Sequence, residues 1–553
     1  MTERQHSVVA AILVIMGLYI MRIAAVEIQP FGEGEIAMRA EAIVQSRQWM
    51  DPSEHTVGGL SSTATPPLAS WMSAAGIMLL GPTEIGVRLF SLLSMAGILA
   101  LTYLIALKAM AHRNAMIAMS IVGLSMPMIT LGRQMTPVVI TTFMLLLSWW
   151  STLKIRSSAD RRSQYIGAAL YGLALAGALL SSTLLALVAL GLLIPVIIRR
   201  ATLLPGVIGL VLGLALSIPW YAVMISGHGT DFILARSVAD LAMQGVSGGS
   251  GRGPLDVLMM LVLASPLLVS SLVWVMVSLR YREMLPTGGD VVMMSAGLWF
   301  IVITMFSALG SQPVAVALVP IIPAAAIVSL AALQGAMQRS SAGVLLVHLG
   351  CIALASLAAL LHSLRPLGGP SVLTSLLILV SIAVIVLVFF FASRQRQRLA
   401  VLATRPTIYG AVAVTAVLAA MTILLGNPGT VVGGRKVSLR LLEDTTYARR
   451  FVYLHHGIVT GPSVNSQLAW YTRGWMSHRK PRFEFTPLSM PTGVIDPSVV
   501  RAGIGAPWIV YFHPGIAKDI SSEIFELLDN DYTVAEDTKD YVLFERRLRI
   551  RDM

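Results

Sequence analysis

Val87-Arg88-Leu89-Phe90-Ser91-Leu92-Leu93-Ser94-Met95-Ala96-Gly97-Ile98-Leu99-Ala100-Leu101-Thr102-Tyr103-Leu104-Ile105-Ala106-Leu107 carries one charge, at its second residue, and none in the nineteen that follow. As a helix rising 1.5 Å per residue it is about 31 Å long, the thickness of a bilayer's hydrocarbon core. This run reads as a membrane span, and it has company along the chain. Similar runs lie near 8–25, 114–131, 137–153, 165–182, 184–198 and 203–224. Others lie near 255–279, 290–308, 314–333, 342–362, 371–392 and 408–425, so about thirteen transmembrane helices are expected. The first is not read as a cleavable signal, because no small-residue cleavage site precedes Glu27 and Arg22 interrupts its far end.

Composition agrees. Of 553 residues 56% are hydrophobic and only 12% charged, with a mean hydropathy of +0.77. Soluble chains carry about 25% charged residues, and disorder needs low hydrophobicity with high net charge. Both classes are excluded. The single cysteine, Cys351, lies in an apolar run, so neither an intramolecular disulfide nor a cysteine metal site is expected.

The net charge of +12 invites a nucleic-acid reading, which the placement of the charges removes. With the N-terminus in the cytoplasm, the inner loops hold Lys108, Arg113, Lys154, Arg156, Arg161, Arg162, Arg199, Arg200, Arg280, Arg282 and Arg339, then Arg394 to Arg405. That is the positive-inside pattern. The same alternation puts the C-terminal region outside the cytoplasm. No nucleic-acid partner is expected.

Three polar segments fall on that outer side: a first loop at 26–86, a second at 225–254 and the tail 426–553. Connections beyond about 12–15 residues are commonly functional, so chemistry is expected on this face. In the first loop, Ile36, Ala40, Ile43 and Val44 recur at helical spacing, with Glu35, Arg39, Glu41 and Gln45 mostly off that stripe; an interfacial helix over 33–48 follows. Leu68–Leu80 is apolar but too short to span, and reads as interfacial or re-entrant. The tail holds 16 basic and 14 acidic residues, near soluble levels. β-like runs at Phe451–Leu454, Arg482–Phe485, Trp508–Phe512 and Tyr541–Phe544 alternate with a helix-like stretch at Asp519–Leu528. Two domains are expected: a transmembrane domain over 1–425 and an extracytoplasmic α/β domain over 426–553.

The order of short motifs resembles the GT-C membrane glycosyltransferases, in the family 39/83 branch that includes protein O-mannosyltransferases and lipid A aminoarabinose transferases. The residues that carry the resemblance are Phe31-Gly32-Glu33-Gly34-Glu35, Gln48-Trp49, Pro52, Thr65-Pro66-Pro67-Leu68-Ala69-Ser70-Trp71 and Arg88-Leu89. Later come Pro219-Trp220-Tyr221 with Asp231-Phe232, then Phe306-Ser307 with Pro320 and Pro323. The resemblance implies a mostly α, GT-C-like polytopic fold. It also implies transfer of a sugar from a polyprenyl-phosphate-sugar donor to a lipid, glycan or protein acceptor of the cell envelope, at the outer face of a bacterial inner membrane. Such a reaction needs a base near the anomeric carbon and positive charge for the phosphate leaving group. By position, Glu33 is expected as the catalytic base. Glu35, Thr65, Arg88, Arg133 and Asp231 are expected to bind substrate. A divalent metal is left open, with Glu54, His55, His228 and Asp231 as the residues from which it would have to be built.

The departures are specific. The family's catalytic aspartate falls on Gly32, its Lys-Pro-Pro lysine on Thr65, and its later lysine and tyrosine near Gln312–Pro313 and on Ala317. Plainer readings stand beside the chemical ones: Glu33 and Glu35 as a solvated helix N-terminus, Arg88 and Arg133 as snorkelling anchors. A second function follows from the departures, that of a catalytically degenerate relative serving as a lipid-binding or structural subunit with envelope protein partners. A transporter is disfavoured by the scarcity of intramembrane charge and the lack of an internal repeat.

Overall fold

A computed structural model describes residues 3–21, 23, 26–29, 32–53, 65–182, 185–186, 190–191, 200–245, 261, 264–271, 292, 295–300, 318–338, 345, 348–353, 355–356, 397–425, 456–460, 470, 483–487, 508–512, 532–537 and 541–546. The chain divides into two compact units. One comprises Met1–Met21, Phe90–Ala222 and Ser250–Gly426; the other comprises Arg22–Leu89, Val223–Gly249 and Asn427–Met553. This division differs from the expected cut at 425/426, because the first outer loop and most of the second fall with the tail.

The first unit is helical. Its elements include α1 (Glu3–Ile20), most of α4 (Glu84–Ala106), α5 (His112–Leu124), α6 (Met126–Gly132), α7 (Pro137–Ser157), α8 (Arg161–Leu179), the first half of α9 (Arg200–Gly245), α10 (Ile322–Gln338) and α11 (Gln397–Leu425). Among the described residues, four helices are long and apolar enough to cross a bilayer (α1, α4, α7 and, within α9, Thr202–Ile233). The pair α5–α6 is apolar enough only when taken together and is bent by 59°, the form of a broken span or a re-entrant loop. The bend has a local cause. Ser125 is extended (φ −68°, ψ 137°) and Pro127 opens the next helix, where its missing N–H costs nothing. The expected spans at 184–198, 255–279, 290–308, 342–362 and 371–392 lie largely outside the described residues.

Small residues bring these helices together. A Cβ at Gly167 would meet Ile155, and one at Gly177 would meet Met144, so α8 lies close along α7. Polar atoms buried in apolar surroundings cost several kcal/mol unless paired, and here several are paired across the unit. Trp149 Nε1 donates to Ser295 Oγ at 2.7 Å, Trp299 Nε1 to the Pro320 carbonyl at 2.9 Å, and Asn114 Nδ2 to Gln334 Oε1 at 3.1 Å.

The second unit contains α2 (Glu33–Ser46), α3 (Leu68–Leu80), the first residues of α4 and the outer part of α9. Helix α2 buries Ile36, Ala40 and Ile43 of the expected stripe together with Ala37, while Val44 is half-buried, and Arg47 closes the helix at φ 59°. Helix α3 occupies the short apolar stretch foreseen, entered through Pro66-Pro67. It leaves Met78, Leu79 and Leu80 exposed at its far end, as an element at a membrane interface would. The turn from α3 into α4 is very tight: a Cβ at Gly76 would collide with the Gly86 carbonyl oxygen. Helix α9 is interrupted at Gly229, whose φ of 55° and ψ of −130° lie outside the helical region.

In the tail, β1 (His456–Thr460) pairs in parallel with β2 (Phe483–Pro487). A second sheet runs β3–β5–β4, antiparallel, with β5 (Tyr541–Arg546) between β3 (Trp508–Phe512) and β4 (Tyr532–Asp537). Three expected strands are matched in place. The expected strand at 451–454 lies outside the described residues, as does the helix at 519–528; β1 was not foreseen, and neither was β4. Its sequence, Tyr-Thr-Val-Ala-Glu-Asp, is half polar and carries a bulge between Val534 and Glu536, which blurs the alternation a strand is read from.

Candidate functional site

Helix α2 begins at Gly32, whose φ of 82° turns the chain sharply into the first helical residue, Glu33. Glu33 thereby points inward, onto Arg88 of α4. Arg88 Nε donates to Glu33 Oε1 at 2.7 Å and Nη2 to Oε2 at 2.8 Å, and neither side chain has exposed surface. The remaining donors of the guanidinium serve the backbone leading into α2. Nη1 donates to the carbonyls of Ile23 (2.8 Å) and Val26 (2.7 Å), and Nη2 to that of Glu27 (2.9 Å). A guanidinium has five N–H groups, and these five bonds use them all. Glu33 also accepts from the Gln29 backbone N–H at 2.8 Å. The Glu33–Arg88 pair is thus a closed clamp on residues 23–33. Arg88 has no N–H left for a phosphate, and Glu33 has no lone pair facing open space.

Two other candidates come together in this unit. Arg39 Nη1 donates to the Thr65 carbonyl at 2.8 Å and to Thr65 Oγ1 at 3.0 Å. The cation at this point of the first loop therefore arrives from α2, beside the position where the resemblance places a lysine. Sequence reasoning set Arg39 off the apolar stripe, yet it is 2% exposed. The signal was present: Arg39 is three residues after Ile36 and four before Ile43, which puts it on the stripe itself.

Glu35 faces away from the clamp and its side chain is exposed. Burial by the surrounding protein nonetheless pushes its carboxyl above the ordinary range. Asp231 is exposed on α9, just past the break at Gly229. Arg133 belongs to the first unit. It closes α6, is 8% exposed, and donates from Nη2 to the Met21 carbonyl at the end of α1.

One pair escaped the sequence altogether. His228 Nε2 lies 2.6 Å from Asp51 Oδ2, joining the two outer loops within the second unit, while Asp51 Oδ1 accepts from the Ser53 N–H at 3.1 Å. Partial burial would raise the Asp51 carboxyl, but the hydrogen bonds from Ser53 and His228 and the charge of the imidazole outweigh it and hold it below the usual range. No spacing rule links residues 177 apart. Of the residues considered for a metal, His228 is thus occupied by Asp51, and Glu54 and His55 lie outside the described residues. Among the described residues no three metal-ligating side chains converge.

Fold and motif order resemble those of the GT-C membrane glycosyltransferases. Residues 64–223 match the family profile described as dolichyl-phosphate-mannose-protein mannosyltransferase. Among solved structures the chain is similar to ArnT from Cupriavidus metallidurans bound to undecaprenyl phosphate, at TM-score 0.62 and 15% identity over 98% of both chains. The apo form of that protein gives 0.58 and 16%, over 97% of this chain and 96% of that one. The apo oligosaccharyltransferase of Archaeoglobus fulgidus gives 0.52 and 12%, over 91% of this chain and 69% of that one. At these identities the likeness is one of fold. No curated protein matches the sequence.

Proposed function

We propose that the protein transfers a glycosyl group from a polyprenyl-phosphate-linked donor to an acceptor of the cell envelope, at the outer face of a bacterial inner membrane. The observation that carries this reading is the profile match over 64–223. It begins one residue before Thr65-Pro66-Pro67 and ends just after Pro219-Trp220-Tyr221, so it takes in the Thr65–Trp71 motif, Arg88-Leu89 and the seventh expected span, while Phe31–Glu35, Gln48-Trp49 and Pro52 precede it. The solved relative's undecaprenyl phosphate supplies the donor class. The N-terminus lies in the cytoplasm and the tail outside, by the distribution of basic loops. Donor phosphate is held by positive charge from this chain, for which Arg133 remains a candidate; Thr65 with its partner Arg39, and Asp231, contribute on the acceptor or sugar side.

A second reading has its own support. Gly32 stands where the family's aspartate is expected, and Glu33 and Arg88 are committed to each other, which is what a scaffold retained as an envelope subunit would keep. The two readings separate in one experiment. Purified protein in lipid nanodiscs is offered a panel of polyprenyl-phosphate sugars with cell-envelope extract as acceptor, and release of polyprenyl phosphate is followed. Enzyme-dependent release supports the transferase; no release from any donor, with stable co-purification of envelope proteins, supports the subunit.

A further inference from the structure

Topology asks only that basic residues be numerous in the inner loops, and is indifferent to where their side chains go. At one place in the first unit the structure arranges them. The turns that follow α4 and α7, with the helix ends around them at 106–114 and 150–165, hold Lys108, Arg113, Lys154, Arg156, Arg161 and Arg162 against one acid, Asp160. That carboxylate is spent on its own helix. It caps α8, accepting from the backbone N–H groups of Arg162 at 3.2 Å and Ser163 at 3.1 Å.

Trp150, Lys154 and Ser157 follow at i, i+4 and i+7, which puts them on one face of the inner end of α7. Lys154 Nζ lies over the Trp150 ring, 5.1 Å from its centroid. The ammonium is thus held back toward the bilayer, whereas a lysine that merely snorkels reaches the other way, into water. Ser157, exposed at the end of the stripe, accepts from Lys108 Nζ at 3.4 Å, which joins the turn after α4 to α7. A hydroxyl that accepts keeps its own proton to donate. Next to Lys108, Leu104 and Leu107 are 38% and 42% exposed, an apolar edge that runs from the charge back along α4.

We propose that this face binds the headgroup of an anionic phospholipid, with Lys108, Ser157 and Lys154 as donors to its phosphodiester and the glycerol and first acyl carbons against Trp150 and Leu104. Two ammonium groups on either side of a hydroxyl suit a tetrahedral anion with several acceptor oxygens. The indole and the leucines select a lipid over a free anion, since they offer apolar contact at the depth where a headgroup passes into its chains. Arg161 and Arg162, exposed at the start of α8, add long-range attraction. The orientation given above places the site in the inner leaflet, on the face away from the proposed chemistry, and it stands whether or not the protein is a transferase.

The test uses the intact protein in phosphatidylcholine nanodiscs containing a rising fraction of dibrominated phosphatidylglycerol, whose bromines quench indole fluorescence at contact. The Trp150 signal is the difference between wild type and Trp150→Phe, and dibrominated phosphatidylcholine is the reference. Wild type is expected to favour phosphatidylglycerol at Trp150 by about thirtyfold, roughly fivefold from each lysine. Lys108→Gln/Lys154→Gln should bring the preference within about threefold, and Lys108→Arg/Lys154→Arg should retain most of it. Ser157→Asp leaves every basic residue in place, sits at an exposed position, and should abolish the preference by setting a carboxylate between the two ammonium groups. Arg4→Gln/Arg405→Gln, which removes the same charge elsewhere on the inner side, should leave it unchanged. Equal quenching by the two brominated lipids in wild type overturns the proposal. So does an equal loss in Arg4→Gln/Arg405→Gln, which would make the attraction one of diffuse charge. Release of the lipid by 10 mM inorganic phosphate at constant ionic strength would make this a site for soluble anions and overturn it as well.

Discussion

Removing the charge from Glu33 should damage the fold before it damages any chemistry. Glu33 and Arg88 are both without exposed surface, and one is the other's counter-ion. Glu33→Gln keeps the shape but strands a guanidinium in a dry site, and breaking a buried pair from one side costs about 3–5 kcal/mol. At about 1.4 kcal/mol per decade, that lowers the folded-to-unfolded ratio by roughly two to three and a half decades. Arg88→Met should be worse. It strands the carboxylate and also deprives the carbonyls of Ile23, Val26 and Glu27 of their donor, each orphaned acceptor adding about 1–3 kcal/mol unless water enters. The double variant supplies the sharper test. Once Arg88 is gone, Glu33→Gln removes a buried charge instead of creating one, so the second substitution should restore about 3 kcal/mol relative to Arg88→Met alone. Equilibrium unfolding in mixed SDS–detergent micelles of wild type, both single variants and the double gives the coupling energy. Additive losses, or Glu33→Gln within about 0.5 kcal/mol of wild type, would refute the clamp. At a temperature where Glu33→Gln remains folded, its transfer rate should be near that of wild type.

Three further outcomes are expected. Gly76→Ala drives a methyl into the Gly86 carbonyl and should cost about 1–3 kcal/mol by the same unfolding assay, whereas Gly17→Ala, with open space around it, should not. Asp51 has a depressed folded pKa, so its contribution is present above the ordinary aspartate value of about 3.9 and is lost as pH falls through the folded value. Asp51→Asn should lower the unfolding midpoint slightly at pH 7, by an amount equivalent to less than about 1 kcal/mol because the pair is partly solvated, and make no difference in strong acid. A nitroxide at Leu79, exposed at the end of α3, should be quenched by dissolved oxygen far more than by a water-soluble nickel complex; the reverse order would put that helix in water.

What was legible in the sequence follows the strength of the physical signal. Apolar length is a strong one, so α1, α4, α7 and the apolar part of α9 lie where the runs predicted them, and Leu68–Leu80 is the short helix its length required. The bend at Ser125 was not legible as a break because Met126-Pro127 sits inside a continuous apolar run, where hydropathy is blind to backbone angle. At the candidate site the sequence identified Glu33 and Arg88 as important but not that each is the other's partner. A motif gives residue types and order, whereas which donor meets which acceptor is set by packing. Arg39 was misplaced because charge was taken as a sign of exposure, although its spacing from Ile36 and Ile43 put it on the buried stripe. The pairing of Asp51 with His228 had no local signature of any kind.

The clamp also sets a timetable for biogenesis. Residues 23–33 leave the ribosome some 55 residues ahead of Arg88, the group that organises them. At about 5–20 residues per second, that is an interval of roughly 3–11 s. During it the Glu33 carboxylate and the carbonyls of Ile23, Val26 and Glu27 are without the guanidinium that joins them. The first outer segment therefore stays in the aqueous interface until the next span is inserted, and the arrival of one arginine converts it from a tether into a fixed support. A slow or mis-inserted second span would leave the nascent chain halted at that stage, with its earliest polar segment open to proteolysis.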